Sequence, residues 1–364
     1  MYITQISLKN FRCLAPYNIT IEKPIVLITG QNGTGKTTIL EALYYACYLR
    51  SFRTHIPREL ISFQKASFII NLSFEVFIGE QRMHHALHIG FDKKKKLVKV
   101  DGKAIQTYKD LLDYYRVISI TTDDMQLITG NPQGRRTFID QALSLLDPAY
   151  VSELRAYRTI LNNKNALLHS TSTDHSLYDL WNEQLWQKTR IIQKHRMHLL
   201  KDLQQKTSVL LSSFFGESVI VDIDYRTRMI KEEPSYQDFM ASNKDLMVKE
   251  RIMQRSLFGA HLDDIAIRFD AKQSRTYASR GQQKLTVFMM KAALIQYIIQ
   301  KKGKVTVLLD DFMGDFDQNV LNRLYELLRH LDCQLIFTSP TSLGYLEQKI
   351  LDGGAQEIRL THSQ

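Results

Sequence analysis

The chain has 364 residues, 44% apolar and 24% charged, which suits a folded soluble protein of about two domains and excludes a disordered or fibrous one. A formal net charge of +10 favours an anionic partner, nucleic acid first. The three cysteines, Cys13, Cys47 and Cys333, lie far apart without metal-ligand spacing, which excludes a disulfide scaffold and fits a reducing, cytoplasmic setting.

In chain order, Met1 to Leu8 alternates like an edge strand and carries no signal-peptide core. An apolar run from Ile25 to Ile28 then feeds Gly30-Gln31-Asn32-Gly33-Thr34-Gly35-Lys36-Thr37-Thr38, and Ile39, Leu40, Leu43 and Ala46 follow at helical spacing. Strand, glycine-rich turn and helix in this order make a Walker A motif, which predicts a nucleoside-triphosphate site. The loop amides and the helix N-terminus would hold phosphate, with Lys36 at the β- and γ-phosphates and Thr37 on Mg²⁺. Phe68 to Phe77 reads as a strand, and Leu97 to Ile105 as a hairpin turned by Asp101-Gly102. Lys93 to Lys96 read as a loop, where a solvated turn is favoured over a DNA-phosphate contact.

From Pro148 to about Phe258 the pattern becomes helical, with Leu177, Trp181, Leu185, Ile192, Leu199, Leu203 and Leu210 near one face. Strands return with Ile265 to Phe269, followed by a helix from about Gln282 to Gln300. The stretch Leu285 to Ile299, broken by Lys291 and Gln296, is too short to span a bilayer. Lys304 to Asp311 and Cys333 to Ser339 read as buried strands. The expected fold is mixed α/β: a nucleotide head from residues 1–118 and 256–364, with its mixed sheet around the P-loop helix, and an inserted helical arm at 119–255.

Val305 to Asp311 has the form of a Walker B strand, with Asp310 placed for Mg²⁺ and Asp311 for orienting or deprotonating the attacking water. Ser279-Arg280-Gly281-Gln282 opens the long helix; its S-x-x-Q spacing is a capping box and equally an anion site. This segment resembles the signature of ABC-type ATPases, and Gly314-Asp315-Phe316-Asp317 resembles their D-loop, ending in Asp317. The resemblance implies that two heads face each other, each signature completing the other chain's ATP site. The charge, the missing membrane segments and the terminal P-loop argue against a transporter.

The whole chain resembles the RecF family of bacterial recombination and repair proteins. The likeness is carried by Leu8-Lys9-Asn10-Phe11-Arg12, Ser51-Phe52-Arg53, the segment Gly130 to Asp140 around Arg135 and Arg136, and Gly259-Ala260-His261-Leu262-Asp263-Asp264. Ala260 and Leu262 depart from the family's usual Pro and Arg. The resemblance implies an ATP-bound homodimer that engages DNA near gaps and single-strand/double-strand junctions. It further implies RecO and RecR as partners in loading RecA and inducing the SOS response. Asp311, shorter than the usual glutamate, implies weak, DNA-stimulated hydrolysis used as a dimerisation switch. By analogy with Rad50-like heads, Arg12 and Asn32 are additional phosphate contacts, with a structural salt bridge the other reading of Arg12. Arg135 and Arg136 could bind DNA or tie the arm to the head. The rival function is a RecF-like ATPase sensor that controls an effector in phage defence.

Overall fold

The computed structural model describes residues 1–361 apart from positions 80, 93, 106, 171–174, 217–218, 228–234, 270–271, 312–315 and 340–343. The chain divides into two compact units, Met1–Asp124 with Lys291–Gln364, and Met125–Met290.

The first unit begins with β1 (Tyr2–Lys9), β2 (Tyr17–Thr20), β3 (Ile25–Gly30), α1 (Lys36–Tyr48), β4 (Ser67–Ile78), β5 (Gln81–Asp92), β6 (Lys95–Val100), β7 (Lys103–Ala104), α2 (Tyr108–Leu112) and β8 (Val117–Thr121). Six of these strands form a sheet ordered β2-β1-β4-β5-β6-β7. The alternation in β1 suggested an edge strand, but β1 pairs antiparallel with both β2 and β4. Alternation reports a sheet with one covered face, whatever the strand's place in it. The β6–β7 hairpin turns at Asp101 and Gly102, both at positive φ (50° and 77°), as an Asp-Gly turn requires. Lys93 lies outside the described residues, whereas Lys95 and Lys96 belong to β6 rather than to a loop.

The second unit contains α3 (Gln126–Thr129), α4 (Pro132–Leu146), α5 (Pro148–His169), α6 (His175–Phe215), β9 (Val221–Arg226), α7 (Tyr236–Ser242), α8 (Lys244–Met253), β10 (Asp264–Phe269), β11 (Lys272–Gln273) and α9 (Ser274–Tyr277). Asn131 caps α4 and Asp147 caps α5, each followed by proline at the first helical position. The strand read at Ile265 to Phe269 is β10, and it pairs with β9 and β11 in a three-stranded sheet of this unit, not in the nucleotide sheet. Along β9 and the chain just before it, the backbone is met by side chains one helical turn apart on α6. Gln204 accepts from Ile223 N at 2.9 Å, Ser208 from Val221 N at 3.1 Å and Ser212 from Val219 N at 3.0 Å.

Helix α10 (Arg280–Lys302) starts in the second unit and ends in the first, which β12 (Thr306–Asp310), α11 (Gln318–Arg329), β13 (Gln334–Ser339), α12 (Tyr345–Asp352) and β14 (Gln356–Leu360) complete. These strands join β3 and β8 in an all-parallel sheet ordered β14-β3-β13-β12-β8. The mixed architecture of the first unit is thus two sheets, one parallel and one antiparallel. Helix α1 touches both: the Tyr45 ring lies 5.5 Å from Phe68 of β4, and Tyr48 Oη donates to Val117 O at 2.7 Å. Every residue from Thr38 to Tyr48 is buried, as expected for a helix that is covered all round. Among the described residues no helix is long and apolar enough to cross a membrane.

Candidate functional site

Strand β3 delivers the chain to Gly30 at the C-terminal edge of the parallel sheet, where ligands of such sheets bind. A Cβ at Gly30 would come within 2.7 Å of Thr34 Oγ1 and 2.8 Å of Leu360 O, so only glycine fits. Gly35 has φ 98° and packs against Leu14, leaving no room for a side chain before α1 begins. The loop encloses a cleft of about 560 Å³, lined by Asn32, Gly33, Gly35, Lys36, Thr37 and Thr38 on one side and by Asp310 and Asp311 on the other. Lys36 Nζ donates to Gly30 O at 2.6 Å and Gln31 O at 3.0 Å. Burial lowers its pKa, while Asp311 and Asp310 act in the opposite direction. Gln31 O also accepts from Thr34 Oγ1 at 2.9 Å, so Gly30, Gln31 and Thr34 shape the loop from behind.

The acidic wall depends on strand register. Asp310 is the last residue of β12 and lies beside Thr338 of β13 and Thr121 of β8. Its Oδ1 accepts from Thr338 Oγ1 at 2.7 Å and from Thr37 Oγ1 at 3.0 Å. Burial raises the Asp310 pKa; the two hydroxyls oppose that and Asp311 adds to it. A desolvated carboxylate beside a hydroxyl is a hard-oxygen pair that suits Mg²⁺, which takes few protein ligands and completes its shell with water and phosphate. Asp311 is exposed at φ 49°, a left-handed conformation that aspartate tolerates.

Arg12 turns to Glu41, a fully buried carboxylate on α1, with Nε at 3.0 Å and Nη2 at 2.7 Å. Glu41 also accepts from Ser51 Oγ and lies 3.9 Å from Arg53 Nη1. The geometry therefore favours the salt-bridge reading of Arg12. Arg53 does line the cleft, as do Cys13, Thr338 and Ser339. None of these four was singled out as a site residue from sequence. For Thr338 and Ser339 the signal was topological: β13 lies between β3 and β12, so its final residues open onto the same cleft.

In the second unit, Ser279 and Gln282 form the expected capping box, with Ser279 N to Gln282 Oε1 at 2.9 Å and Gln282 N to Ser279 Oγ at 3.2 Å. Ser279, Arg280 and Gly281 are exposed at the start of α10. In the first unit Asp317 caps α11 by accepting from Val320 N at 2.9 Å, while Gly314 and Asp315 lie outside the described residues.

The segments around Arg135 and His261 prove to be two halves of one lock within the second unit. Arg135 forks onto Asp264 at 2.8 and 3.1 Å, and Arg136 Nη1 donates to Asp263 O at 2.6 Å. Arg196 of α6 joins Asp140 at 2.9 and 3.0 Å and reaches Ala260 O at 2.7 Å. Asp263, fully buried, accepts from Gln193 and from Tyr225 Oη, and burial raises its pKa. His261 Nδ1 lies 2.7 Å from Tyr157 Oη, and burial lowers its pKa to about 4. Arg135 and Arg136 are thus engaged inside their own unit.

A family model described as "AAA domain" matches residues 5–213. The DNA replication and repair protein RecF of Prosthecochloris aestuarii is 28% identical over 360 residues, covering 96% of each chain. The solved structure of the recombination mediator protein RecF-ATP in the RecFOR pathway has a TM-score of 0.85 at 23% identity, covering 94% of this chain and 93% of that one. An Smc head bound to the C-winged-helix domain of ScpA has a TM-score of 0.56 at 15% identity, covering 96% and 92%; both structures speak to the fold. The chain belongs to the AAA domain family, and it resembles RecF proteins over nearly its whole length.

Proposed function

We propose that this chain is an ATP-dependent DNA-binding protein of recombinational repair and replication restart. Its ATP-bound dimer engages DNA near gaps and single-strand/double-strand junctions and works with RecO and RecR to load RecA and induce the SOS response. The observation that carries the reading is the cleft itself, where Lys36 and Thr37 at the head of α1 face Asp310 and Asp311 from β12.

In this reading the amides of Asn32 to Thr38 cradle the phosphates of ATP, and Lys36 leaves the carbonyls of Gly30 and Gln31 to meet the β- and γ-oxygens. Thr37 and Asp310 hold Mg²⁺, which when bound neutralises charge developing on the phosphates. Asp311 accepts a proton from the attacking water or orients it. Ser279 of a second copy closes the site: its oxygen accepts from Gln282 N, leaving the hydroxyl proton for the γ-phosphate. Exposed Ser279, Arg280 and Gly281 suit that role, and Asp317, which follows Asp311 closely in the chain, is the D-loop residue. Weak, DNA-stimulated hydrolysis then releases the dimer, in the cytoplasm.

Lysine and arginine contacts to phosphates make DNA affinity fall steeply with salt, roughly a thousandfold between about 50 and 200 mM if six or more phosphates are touched. The test is DNA affinity across salt with ATP, with ADP and in Lys36→Ala. A steep slope that needs both ATP and Lys36 supports the reading. A flat response, or one indifferent to nucleotide, overturns it in favour of a protein effector.

A further inference from the structure

The turn that presents Ser279 is held from below by a residue outside the signature. Helix α9 has only four residues, so its carbonyls have few helical partners. Ser274 is fully buried, and its carbonyl has only a long backbone bond, from Ala278 N at 3.3 Å. Gln283, itself 7% exposed, supplies additional donors to these carbonyls. Its Nε2 donates to Ser274 O at 2.9 Å and Ala278 O at 3.1 Å, with Arg275 O at 3.4 Å. Its backbone N donates to Ser279 O at 2.9 Å. The neighbouring glutamine does something different, since Gln282 reaches back over the helix start to Ser279 N. One glutamine caps the serine; the other fixes the path of the chain leading to it.

We infer that Gln283 is a positioning residue for the signature: its carboxamide gathers the carbonyls of residues 274, 275 and 278 and so sets where Ser279 is presented to the ATP of a second copy. The inference rests on the proposed dimeric site. Gln283 touches no nucleotide, and its loss acts through Ser279 alone. A chain lacking it should still bind ATP through its own Lys36 and Thr37, yet offer a misplaced signature to its partner.

The test is Gln283→Leu, which keeps the volume and deletes the donors. ATP affinity at the chain's own loop should stay within about twofold, whereas ATP-driven dimerisation should weaken about tenfold or more, the loss expected for one or two hydrogen bonds. A mixing experiment separates positioning from plain folding. Lys36→Ala has an intact signature and a damaged loop; Gln283→Leu has the reverse. Together they build one whole site per mixed dimer, so hydrolysis should recover on mixing to a level neither shows alone. Wild-type dimerisation by Gln283→Leu overturns the inference. So does loss of its ATP affinity or the absence of recovery on mixing. If the wild-type chain itself fails to dimerise with ATP, the proposed dimeric site is what fails.

Discussion

Thr338 Oγ1 stands 2.7 Å from Asp310 Oδ1, the same oxygen that Thr37 reaches at 3.0 Å. If Thr37 turns to Mg²⁺ when nucleotide binds, Thr338 becomes the hydroxyl that keeps Asp310 oriented. Thr338→Val should therefore raise the Mg²⁺ needed for half-maximal nucleotide binding about five- to tenfold, roughly 1 kcal/mol, while Thr338→Ser stays near wild type. An unchanged Mg²⁺ midpoint in the valine variant would show that Asp310 is aligned without it.

Cys13 is exposed and lines the cleft, whereas burial pushes the thiols of Cys47 and Cys333 up to about 12. Maleimide at neutral pH should label Cys13 and spare the other two, because the thiolate is the reactive form. ATP should slow that labelling. Labelling at the same rate with and without saturating ATP would mean that the nucleotide binds elsewhere.

The Arg135–Asp264 fork joins the start of α4 to the start of β10. Arg135 is 10% exposed and Asp264 32%, so the pair is screened in part and Arg135→Gln should cost about 1–3 kcal/mol. Urea denaturation checks the loss. Inverting the pair, Arg135→Asp with Asp264→Arg, should recover some of it; a double variant as unstable as the sum of the singles would show that the charges do not meet.

His261 is held neutral by burial, its pKa lowered from 6.5 to about 4. Between those values the unfolded chain binds a proton that the folded chain refuses, so this contribution is whole above pH 6.5 and drains away as pH falls toward 4. His261→Asn should flatten the decline in urea midpoint between pH 7 and 5. A decline as steep as in the unmodified protein would assign the acid sensitivity to other groups.

What could be read from the sequence was what the chain writes locally. Gly30 to Thr38 are covalent neighbours, so their spacing alone defines the loop, and the Ser279–Gln282 cap follows from an interval of three. Asp310 was legible as the end of an apolar run, but its bonds to Thr338 and Thr37 depend on the register of β12 against β13, which no short window contains. The arm shows the limit most clearly. Leu177, expected on the inner face, is 37% exposed, and Trp181 and Leu210 are half-buried. Leu185, Ile192, Leu199 and Leu203 are buried as expected, and the buried stripe also takes in Tyr178, Asn182, Thr189, Gln193 and Arg196. The helical period was sound, but apolarity was an incomplete marker, because Arg196 and Gln193 are also buried, met by Asp140 and Asp263 from distant parts of the chain.

The side chains that α6 lays along β9 bear on how the protein avoids its own company. A bare strand border is a template on which a neighbour's strand can grow, the route to aggregation and swapped dimers. Gln204, Ser208 and Ser212 occupy that border, and β11 at the opposite side of the sheet is only two residues long. For a chain proposed to associate only when ATP commands it, a blunted sheet removes a competing and irreversible way of finding a partner. The polar residues of α6 that look like mere surface in the sequence thus cover a border on which a neighbouring strand could otherwise grow.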